Sequence, residues 1–400
     1  MNFAENINRM KQIITTLSLV FIISVHLNAQ IAEIPFELKD DLILLKVNIN
    51  DDHEYKTFIF DTGATSDLLD STTADKLGLK ANYKTDVSGA SGAKSYDIIL
   101  YQKLTLQNKI EIDSTHLVLT DLTRLKNKLE RDFDGIIGYS LLKKYITKID
   151  YENQKILLYN KIENIDTKGY KTINFKFENG IPIPQFDISI TLRNGDTYTN
   201  KILFDSGAGL TLLINTPYNE NHKLSKKAGK SLISKSENLH GESISEEIAI
   251  QSMNIRGYEF DEMVIGIAHD KEGVSSYENY LGLLGAKVIS RFNIVLDYST
   301  FTLYIKPNKA FSKSFTFPVS GIKLKQINGN ILIDRAEETS SAYKKGIRKG
   351  DKLISINNDS SGDITVYRDL LTKENEKVCL TIINSEGKTK KIELKLKRLL

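Results

Sequence analysis

The sequence predicts a mainly β protein, built from two similar β-rich lobes and a smaller α+β domain that follows them. Three observations lead to this fold class. Short apolar runs and period-two alternation, bounded by Gly, Asn and Asp, dominate the chain up to Pro307 and are typical of strands. Four sequence blocks recur in the same order at a nearly constant offset, which indicates a duplicated unit. The 92 residues after Asn308 resemble neither copy.

The N-terminal segment has the layout of a secretory signal. Arg9 and Lys11 precede an apolar run from Ile13 to Val25, and the segment ends in a small residue. As a helix the run extends about 20 Å, which is short of the ~30 Å hydrocarbon core of a bilayer. We therefore predict a signal peptide at residues 1–29, cleaved on export to the periplasm or the extracellular space, with no membrane span afterwards. A membrane anchor and a buried helix are the alternatives.

In each copy of the duplicated unit an acidic motif directly follows an apolar strand. The first copy reads Asp61-Thr62-Gly63-Ala64 after Phe60, and the second reads Asp205-Ser206-Gly207-Ala208 after Phe204. The two aspartates are 144 positions apart. Further along each copy a Gly-apolar-apolar-Gly block occurs, at 135–138 and 282–285, and these blocks are 147 positions apart. The common order and spacing indicate that the two aspartates occupy equivalent places.

An isolated Asp-Thr-Gly run can be an ordinary turn after a strand. Its repetition at equivalent places of two copies favours a functional pair instead. The small residues behind each aspartate allow the backbone to turn sharply and pack closely. The hydroxyl group next to each acid, on Thr62 and on Ser206, can form a hydrogen bond across to the other copy and hold the pair rigid.

Together these motifs resemble the active-site motifs of the aspartic proteases, and the glycine blocks resemble the element that supports each catalytic loop in that family. The resemblance covers roughly residues 31–306. It implies a bilobal fold of closed, barrel-like lobes. The single cysteine, Cys379, excludes an intrachain disulfide, and this places the chain nearer to retropepsin-like bacterial relatives than to pepsins. Because both lobes lie in one chain, no homodimer is needed and we expect a monomer.

The resemblance also implies roles for particular residues. These are Asp61 and Asp205 as the catalytic pair, Thr62 and Ser206 as orienting hydroxyls, and Gly63 and Gly207 as residues that present backbone to the substrate. Two carboxylates about 3 Å apart share one proton. The ionised one takes a proton from a water that attacks the scissile carbonyl, and the protonated one donates to the carbonyl oxygen. This chemistry needs no metal and no cofactor.

Such an enzyme needs a cover over its substrate. The family carries a flap between the first acidic motif and the first glycine block. In this chain the run 88–93 lies there, with Gly89, Ser91 and Gly92. Its counterpart in the second copy contains Gly241. The alternative is that both are ordinary hairpin tips.

The C-terminal unit resembles a PDZ domain of bacterial type. A short helix leads to Gly346-Ile347-Arg348-Lys349-Gly350-Asp351 and then to a strand that ends in Asn357. Such domains add an extended peptide to a sheet edge and hold its C-terminal carboxylate in a loop. The resemblance implies Gly321 and Ile322 at the end of that loop, with a C-terminal peptide as ligand; a mere spacer is the alternative. The predicted domains are residues 30–165, 166–310 and 315–400.

Composition excludes several function classes. The 54 Lys and Arg residues nearly balance the 51 Asp and Glu residues, which gives no electrostatic reason to expect nucleic acid as a partner. The six histidines are scattered and no phosphate-binding glycine loop occurs. A carbohydrate enzyme with paired carboxylates is disfavoured because there is no Trp to stack on sugars. Two readings remain: an endopeptidase acting on peptides or unfolded proteins, or a catalytically silent scaffold that captures peptides.

Overall fold

The structure is a computed structural model, and it describes residues 30–89, 92–107, 109–238 and 241–400. The predicted signal peptide at residues 1–29 lies outside these ranges, and so does Ser91 of the first predicted flap. Within the described ranges, no helix is both long enough and apolar enough to cross a membrane.

The first lobe is a closed barrel. Its ring of six strands runs in the order β3-β4-β9-β5-β8-β7 and closes through pairing of β3 with β7, while β2 and β6 extend it. The elements of this lobe are β1 (Ala32–Pro35), β2 (Glu37–Lys39), β3 (Leu42–Ile49), β4 (Lys56–Phe60), β5 (Asp67–Asp70), α1 (Ser71–Lys76), β6 (Tyr83–Gly89), β7 (Gly92–Leu106), β8 (Ile110–Thr120), α2 (Thr123–Leu129), β9 (Gly135–Ile137), α3 (Tyr139–Leu142), β10 (Ile146–Asp150) and β11 (Lys155–Tyr159).

The second lobe repeats this barrel. Its ring is β13-β14-β20-β15-β19-β17, closed through pairing of β13 with β17 and extended by β16 and β18. Its elements are β12 (Lys171–Asn174), β13 (Gln185–Leu192), β14 (Thr197–Phe204), β15 (Leu212–Ile214), α4 (Thr216–His222), α5 (Leu224–Ala228), β16 (Ser231–Asn238), β17 (Gly241–Ile255), β18 (Tyr258–Phe260), β19 (Met263–Ala268), β20 (Gly282–Leu284), α6 (Ala286–Ile289), β21 (Phe292–Asp297) and β22 (Thr302–Pro307), and short 3₁₀ turns occur at Ile162–Asn164 and Val274–Ser276.

A third sheet joins the two lobes. Its six strands follow the order β1-β11-β10-β21-β22-β12, so that three come from each lobe. At its centre β10 pairs with β21, with Ile149 opposite Ile294. One apolar core extends from both barrels into this sheet. Because burial of apolar surface drives folding, the shared core holds the lobes in a defined relation to one another.

The C-terminal unit is a five-stranded antiparallel sheet with its own apolar core. Its strands are ordered β23 to β27 in sequence, which leaves β23 at one edge. Its elements are β23 (Ile322–Ile327), β24 (Asn330–Ala336), α7 (Ser341–Lys344), β25 (Lys352–Ile356), α8 (Ile364–Leu370), β26 (Lys377–Ile383) and β27 (Thr389–Lys395). Helix α8 begins after Asp363, whose carboxylate accepts hydrogen bonds from the amides of Thr365 and Val366. The predicted fold class, two barrel-like β lobes plus a small α+β domain, is confirmed.

Candidate active site

Each predicted aspartate leaves the end of a barrel strand that is paired with a glycine block. In the first lobe β4 and β9 run parallel, and the amide of Asp61 donates to the carbonyl of Ile137 at 2.9 Å. In the second lobe β14 and β20 run parallel, and the amide of Asp205 donates to the carbonyl of Leu284 at 3.0 Å. The two loops therefore begin from matching places in the two barrels.

The last glycine of each block lies directly against a loop that carries an acidic motif. A Cβ atom at Gly138 would lie 2.0 Å from the carbonyl oxygen of Asp61, and one at Gly285 would lie 2.3 Å from that of Leu210. Neither distance is sterically allowed, so only glycine permits this approach. The close packing explains why the glycine block recurs with the acidic motif.

The two carboxylates meet at one backbone amide. The amide of Gly207 lies 3.1 Å from Oδ1 of Asp61 and 2.9 Å from Oδ1 of Asp205. The amide of Gly63 donates to Asp61 at 2.7 Å, and that of Ala208 donates to Asp205 at 2.9 Å. Each carboxylate thus accepts hydrogen bonds from amides of its own loop. Asp61 also accepts one from Gly207 of the other lobe.

The glycines of the two acidic motifs also pack against the opposite carboxylates. A Cβ atom at Gly63 would lie 2.5 Å from Cγ of Asp205, and one at Gly207 would lie 2.2 Å from Cγ of Asp61. Sequence reasoning gave these glycines a role toward the substrate and did not predict this contact. Their missing side chains are what allow the carboxylates to come so close.

The predicted hydroxyls form a reciprocal bridge beneath the pair. The amide of Thr62 donates to Oγ of Ser206 at 3.0 Å, and the amide of Ser206 donates to Oγ1 of Thr62 at 2.9 Å. The hydroxyl of Thr62 in turn donates to the carbonyl of Phe204 at 2.8 Å. Both side chains are buried. Hydrogen bonds between buried groups are strengthened by the low local dielectric, so these bonds fix the two loops firmly to each other.

Burial and mutual proximity set the ionisation of the pair. Burial raises the pKa of Asp61, although hydrogen bonds from Asp205 and from the Gly63 amide oppose the shift. Burial also raises the pKa of Asp205 well above its usual range, and the neighbouring charge of Asp61 adds to this. Two buried carboxyls in contact cannot both ionise readily. The pair therefore retains one proton at a pH where isolated aspartates have lost theirs.

The pair faces a cleft of about 1570 Å³ between the lobes. Apolar side chains from both lobes line this cleft. Those of the first lobe are Ile59, Leu68, Leu125, Leu129 and Ile136, and those of the second are Ile183, Leu203, Leu212, Val264 and Leu283. The lining also includes charged residues, among them Lys128, Glu247 and Lys287, so the space suits an extended chain that carries both apolar and polar side chains.

The two predicted flaps are hairpins of similar design. Strands β6 and β7 pair up to Gly89 opposite Gly92, and strands β16 and β17 pair up to Asn238 opposite Gly241. Tyr96 on β7 lines the cleft. Strand β16 of the second lobe also lies against helix α2 of the first. The second hairpin therefore reaches across the boundary between the lobes.

Sequence reasoning missed one acidic residue close to the pair, Asp67. Its side chain is 3% exposed, and its Oδ1 accepts from the amide of Gly138 at 3.1 Å. At the equivalent place the second lobe has Thr211, and there the amide of Gly285 donates to the backbone carbonyl of Thr211. The available signal was an aspartate directly before two leucines at the start of β5, without an acidic counterpart in the other copy.

The predicted peptide loop of the C-terminal unit lies at the start of its edge strand. Gly321 has a positive φ of 69° and a Cβ there would lie 2.4 Å from Cβ of Ser340, so glycine is required. The amide of Ile322 donates to Oγ of Ser320 at 3.2 Å. Across the described part of the chain, no group of three or more His, Cys, Asp and Glu side chains is placed to hold a metal ion.

Comparisons with known proteins give two family matches. The family model described as aspartyl protease matches residues 45–141, and that of the PDZ domain matches residues 314–383. Among solved structures, the crystal structure of an aspartic proteinase from Irpex lacteus is similar, with 12% sequence identity and a TM-score of 0.46. The similarity covers 70% of this chain and 98% of that one. A search of curated protein sequences gives no match.

Proposed function

We propose that this chain, which combines an aspartyl protease domain with a PDZ domain, is an endopeptidase that hydrolyses peptide bonds with a water activated between Asp61 and Asp205. The observation that carries the proposal is the Gly207 amide shared by both carboxylates. It supports a pair that holds one proton between two equivalent loops. That charge state is the one in which a general base and a general acid coexist.

In this mechanism the substrate lies extended across the cleft, with its scissile carbonyl over the pair. The ionised carboxylate takes a proton from the water as the water oxygen attacks the carbonyl carbon. The protonated carboxyl donates to the carbonyl oxygen, which gives a neutral tetrahedral diol. Collapse of the diol breaks the C–N bond as a proton passes to the leaving nitrogen. Sharing of the proton makes Asp61 and Asp205 one coupled acid–base unit.

We propose further roles for the surrounding residues. Thr62 and Ser206 keep the two loops in register, and the two hairpins cover the substrate and exclude water. The apolar side chains that line the cleft from both lobes favour bulky apolar side chains on both sides of the scissile bond. Peptides and unfolded proteins would meet these requirements, because their backbones can extend through the cleft.

The test is digestion of a reduced, unfolded protein mixture by residues 30–400, with products identified by mass spectrometry between pH 3 and 8. The Asp61→Asn and Asp205→Asn variants serve as matched controls, since each keeps the size of the side chain. We expect new peptide termini only with the unchanged chain. Equal product sets from all three proteins would contradict the proposal. Binding of the mixture without cleavage by any of them would favour a silent peptide-capturing scaffold.

We also propose that residues 1–29 direct export and are removed, and that the mature chain acts as a monomer. The basic start and short apolar run of that segment support export. The presence of both lobes in one chain supports the monomer. N-terminal sequencing of the chain recovered outside the cytoplasm, and sedimentation of that material, test the two statements separately.

A further inference from the structure

Strand β23 offers a free edge beside a helix in the PDZ domain. It pairs with β24 on one side only, and α8 packs along it. The hairpin that joins β23 to β24 turns through Asn328 and Gly329, and the register pairs Ile327 with Asn330 and Lys325 with Leu332. In an antiparallel pair, backbone groups of alternate residues point toward the partner and away from it. Leu324 therefore directs its carbonyl toward the free edge.

That carbonyl already accepts a hydrogen bond from a side chain. Arg368 on α8 donates through Nη2 to the carbonyl of Leu324 at 2.9 Å. A peptide that extends the sheet along β23 would need the same backbone groups. Arg368 therefore lies in the place where an added strand would run.

The same guanidinium holds a carboxylate of the protease domain. Its Nη1 and Nη2 donate to the two carboxylate oxygens of Glu130 at 2.7 and 2.6 Å. This two-point geometry is the one by which arginine recognises a carboxylate. Glu130 is the C-cap residue directly after helix α2, and it has a positive φ of 48°. A carboxylate from outside the PDZ domain is thus bound at the edge of the peptide groove.

Helix α2 is also a wall of the substrate cleft. Its Leu125, Lys128 and Leu129 line the cleft, directly before Glu130 in the chain. The PDZ domain contacts the second lobe as well, where Arg335 donates to the carbonyl of Ile233 at 2.9 Å and Arg398 pairs with Glu262 at 2.8 Å. The contact between Arg368 and Glu130 is thus one link of the PDZ domain to a wall of the cleft.

We propose that the groove between β23 and α8 selects an extended peptide carrying an Asp or Glu side chain, and that this carboxylate displaces Glu130 from Arg368. The carboxylate of Glu130 shows which chemistry the guanidinium accepts in this setting. Since one ion pair replaces another of the same kind, the exchange is close to balanced and the bound peptide only has to add its strand pairing. Occupancy of the groove then releases the PDZ domain from α2.

The expected change in peptide affinity follows from the solvent exposure of the ion pair between Arg368 and Glu130. The side chains of Arg368 and Glu130 are 43% and 42% exposed, and ion pairs in such places are weak. Removal of Glu130 from the competition should therefore tighten peptide binding about 2- to 5-fold. The proposal concerns binding only, so it stands or fails independently of the peptidase activity.

The experiment is a selection of C-terminal peptides from a random display library on the full chain, carrying Asp61→Asn to prevent cleavage. We expect enrichment of Asp or Glu at one position. The best peptide and its copy with Gln or Asn at that position are then labelled with fluorescein, and their affinities are measured by anisotropy. The acidic form should bind about 2- to 5-fold more tightly to the full chain, as expected for one exposed ion pair, and Arg368→Gln should abolish that preference.

Two further variants test the competition itself. Glu130→Gln should bind the acidic peptide more tightly by the factor above. Asp132→Asn is the matched control, because Asp132 is a nearby, 98% exposed carboxylate that faces Lys126 at 3.8 Å, and it should leave the affinity unchanged. Circular dichroism confirms that each variant is folded. Failure to enrich any peptide, enrichment without an acidic position, a preference that survives Arg368→Gln, or an equal affinity of Glu130→Gln would each overturn the proposal.

Discussion

The backbone amides of Thr62 and Ser206 each donate to the hydroxyl of the other residue, at 3.0 and 2.9 Å, although the two residues are 144 positions apart in the chain. Both side chains are buried. A buried amide without an acceptor is costly, so the two lobes depend on each other for the satisfaction of these groups. The two loops that carry the acidic motifs consequently behave as one unit rather than as two.

Loss of one hydroxyl from this bridge should lower the stability of the folded protein. Thr62→Val keeps the shape of the side chain but leaves the Ser206 amide buried without its acceptor. We expect a loss of about 2 kcal/mol in the free energy of unfolding, measured in urea, because a buried unpaired donor costs about this much. Thr62→Ser keeps the hydroxyl and is the control. Equal stability of the Val and Ser variants would show that the bridge contributes little.

A methyl group at Gly207 should abolish peptide cleavage. Its Cβ would lie 2.2 Å from Cγ of Asp61, so the carboxylate would have to move away from its partner. Gly209→Ala is the matched control two residues further on, where a Cβ meets nothing within 4 Å. We expect kcat for a fluorogenic peptide to fall at least 100-fold in Gly207→Ala, since small misplacements of reacting groups cost about this factor. Full activity in Gly207→Ala would contradict the packing described for the pair.

The pH dependence of cleavage should follow the shared proton. Burial and the charge of Asp61 hold the pKa of Asp205 well above its usual range, and burial raises that of Asp61. The one-proton state therefore extends to higher pH than it would for a solvent-exposed pair. We expect kcat/KM to be bell-shaped in pH, with its alkaline limb set by the upper pKa of the pair. A rate that stays constant up to pH 9 would be incompatible with general acid catalysis by the pair.

Asp67 should make the protein less stable as the pH rises. Burial raises its pKa to about 6, although the nearby Ser140 hydroxyl and the hydrogen bond from the Gly138 amide oppose the shift. A carboxyl with a raised folded pKa contributes fully below its unfolded pKa near 3.8, and that contribution is lost as pH rises through the folded value. The loss amounts to about 3 kcal/mol. Urea unfolding at pH 3.5 and 7.5 should show this component in the unchanged chain and not in Asp67→Asn.

Asp70, at the other end of strand β5, should show the opposite sign. Burial acts to raise its pKa, but hydrogen bonds from Thr72 and Lys126 outweigh burial and lower it. Nζ of Lys126 lies 2.9 Å from Oδ2 of Asp70. This group stabilises the fold above its unfolded pKa and loses that effect as the pH falls. Asp70→Asn should therefore be destabilised at pH 7.5 and approach the unchanged chain at low pH. Parallel pH profiles for the Asp67 and Asp70 variants would refute both assignments.

Much of the candidate site could be predicted because duplication marks it twice. Asp61 and Asp205 occupy equivalent places, and the glycine blocks follow them at nearly equal distances, 74 and 77 positions further on. Asp67 could not be found in this way, since its counterpart is Thr211 and the two lobes satisfy the same amide differently. Duplication marks the residues that both copies share. A residue that only one copy uses carries no such mark in the sequence.

The sequence by itself determined the strand pattern, the pairing of two acidic motifs and the identity of the C-terminal domain, because each of these depends on local order and spacing along the chain. Only the tertiary structure decided that Gly207 contacts Asp61, that three strands from each lobe form one sheet, and that Arg368 binds Glu130. These contacts join residues far apart in the chain. Strand edges, buried amides and charged side chains find their partners when the folded units meet, and no local pattern specifies which partner that is.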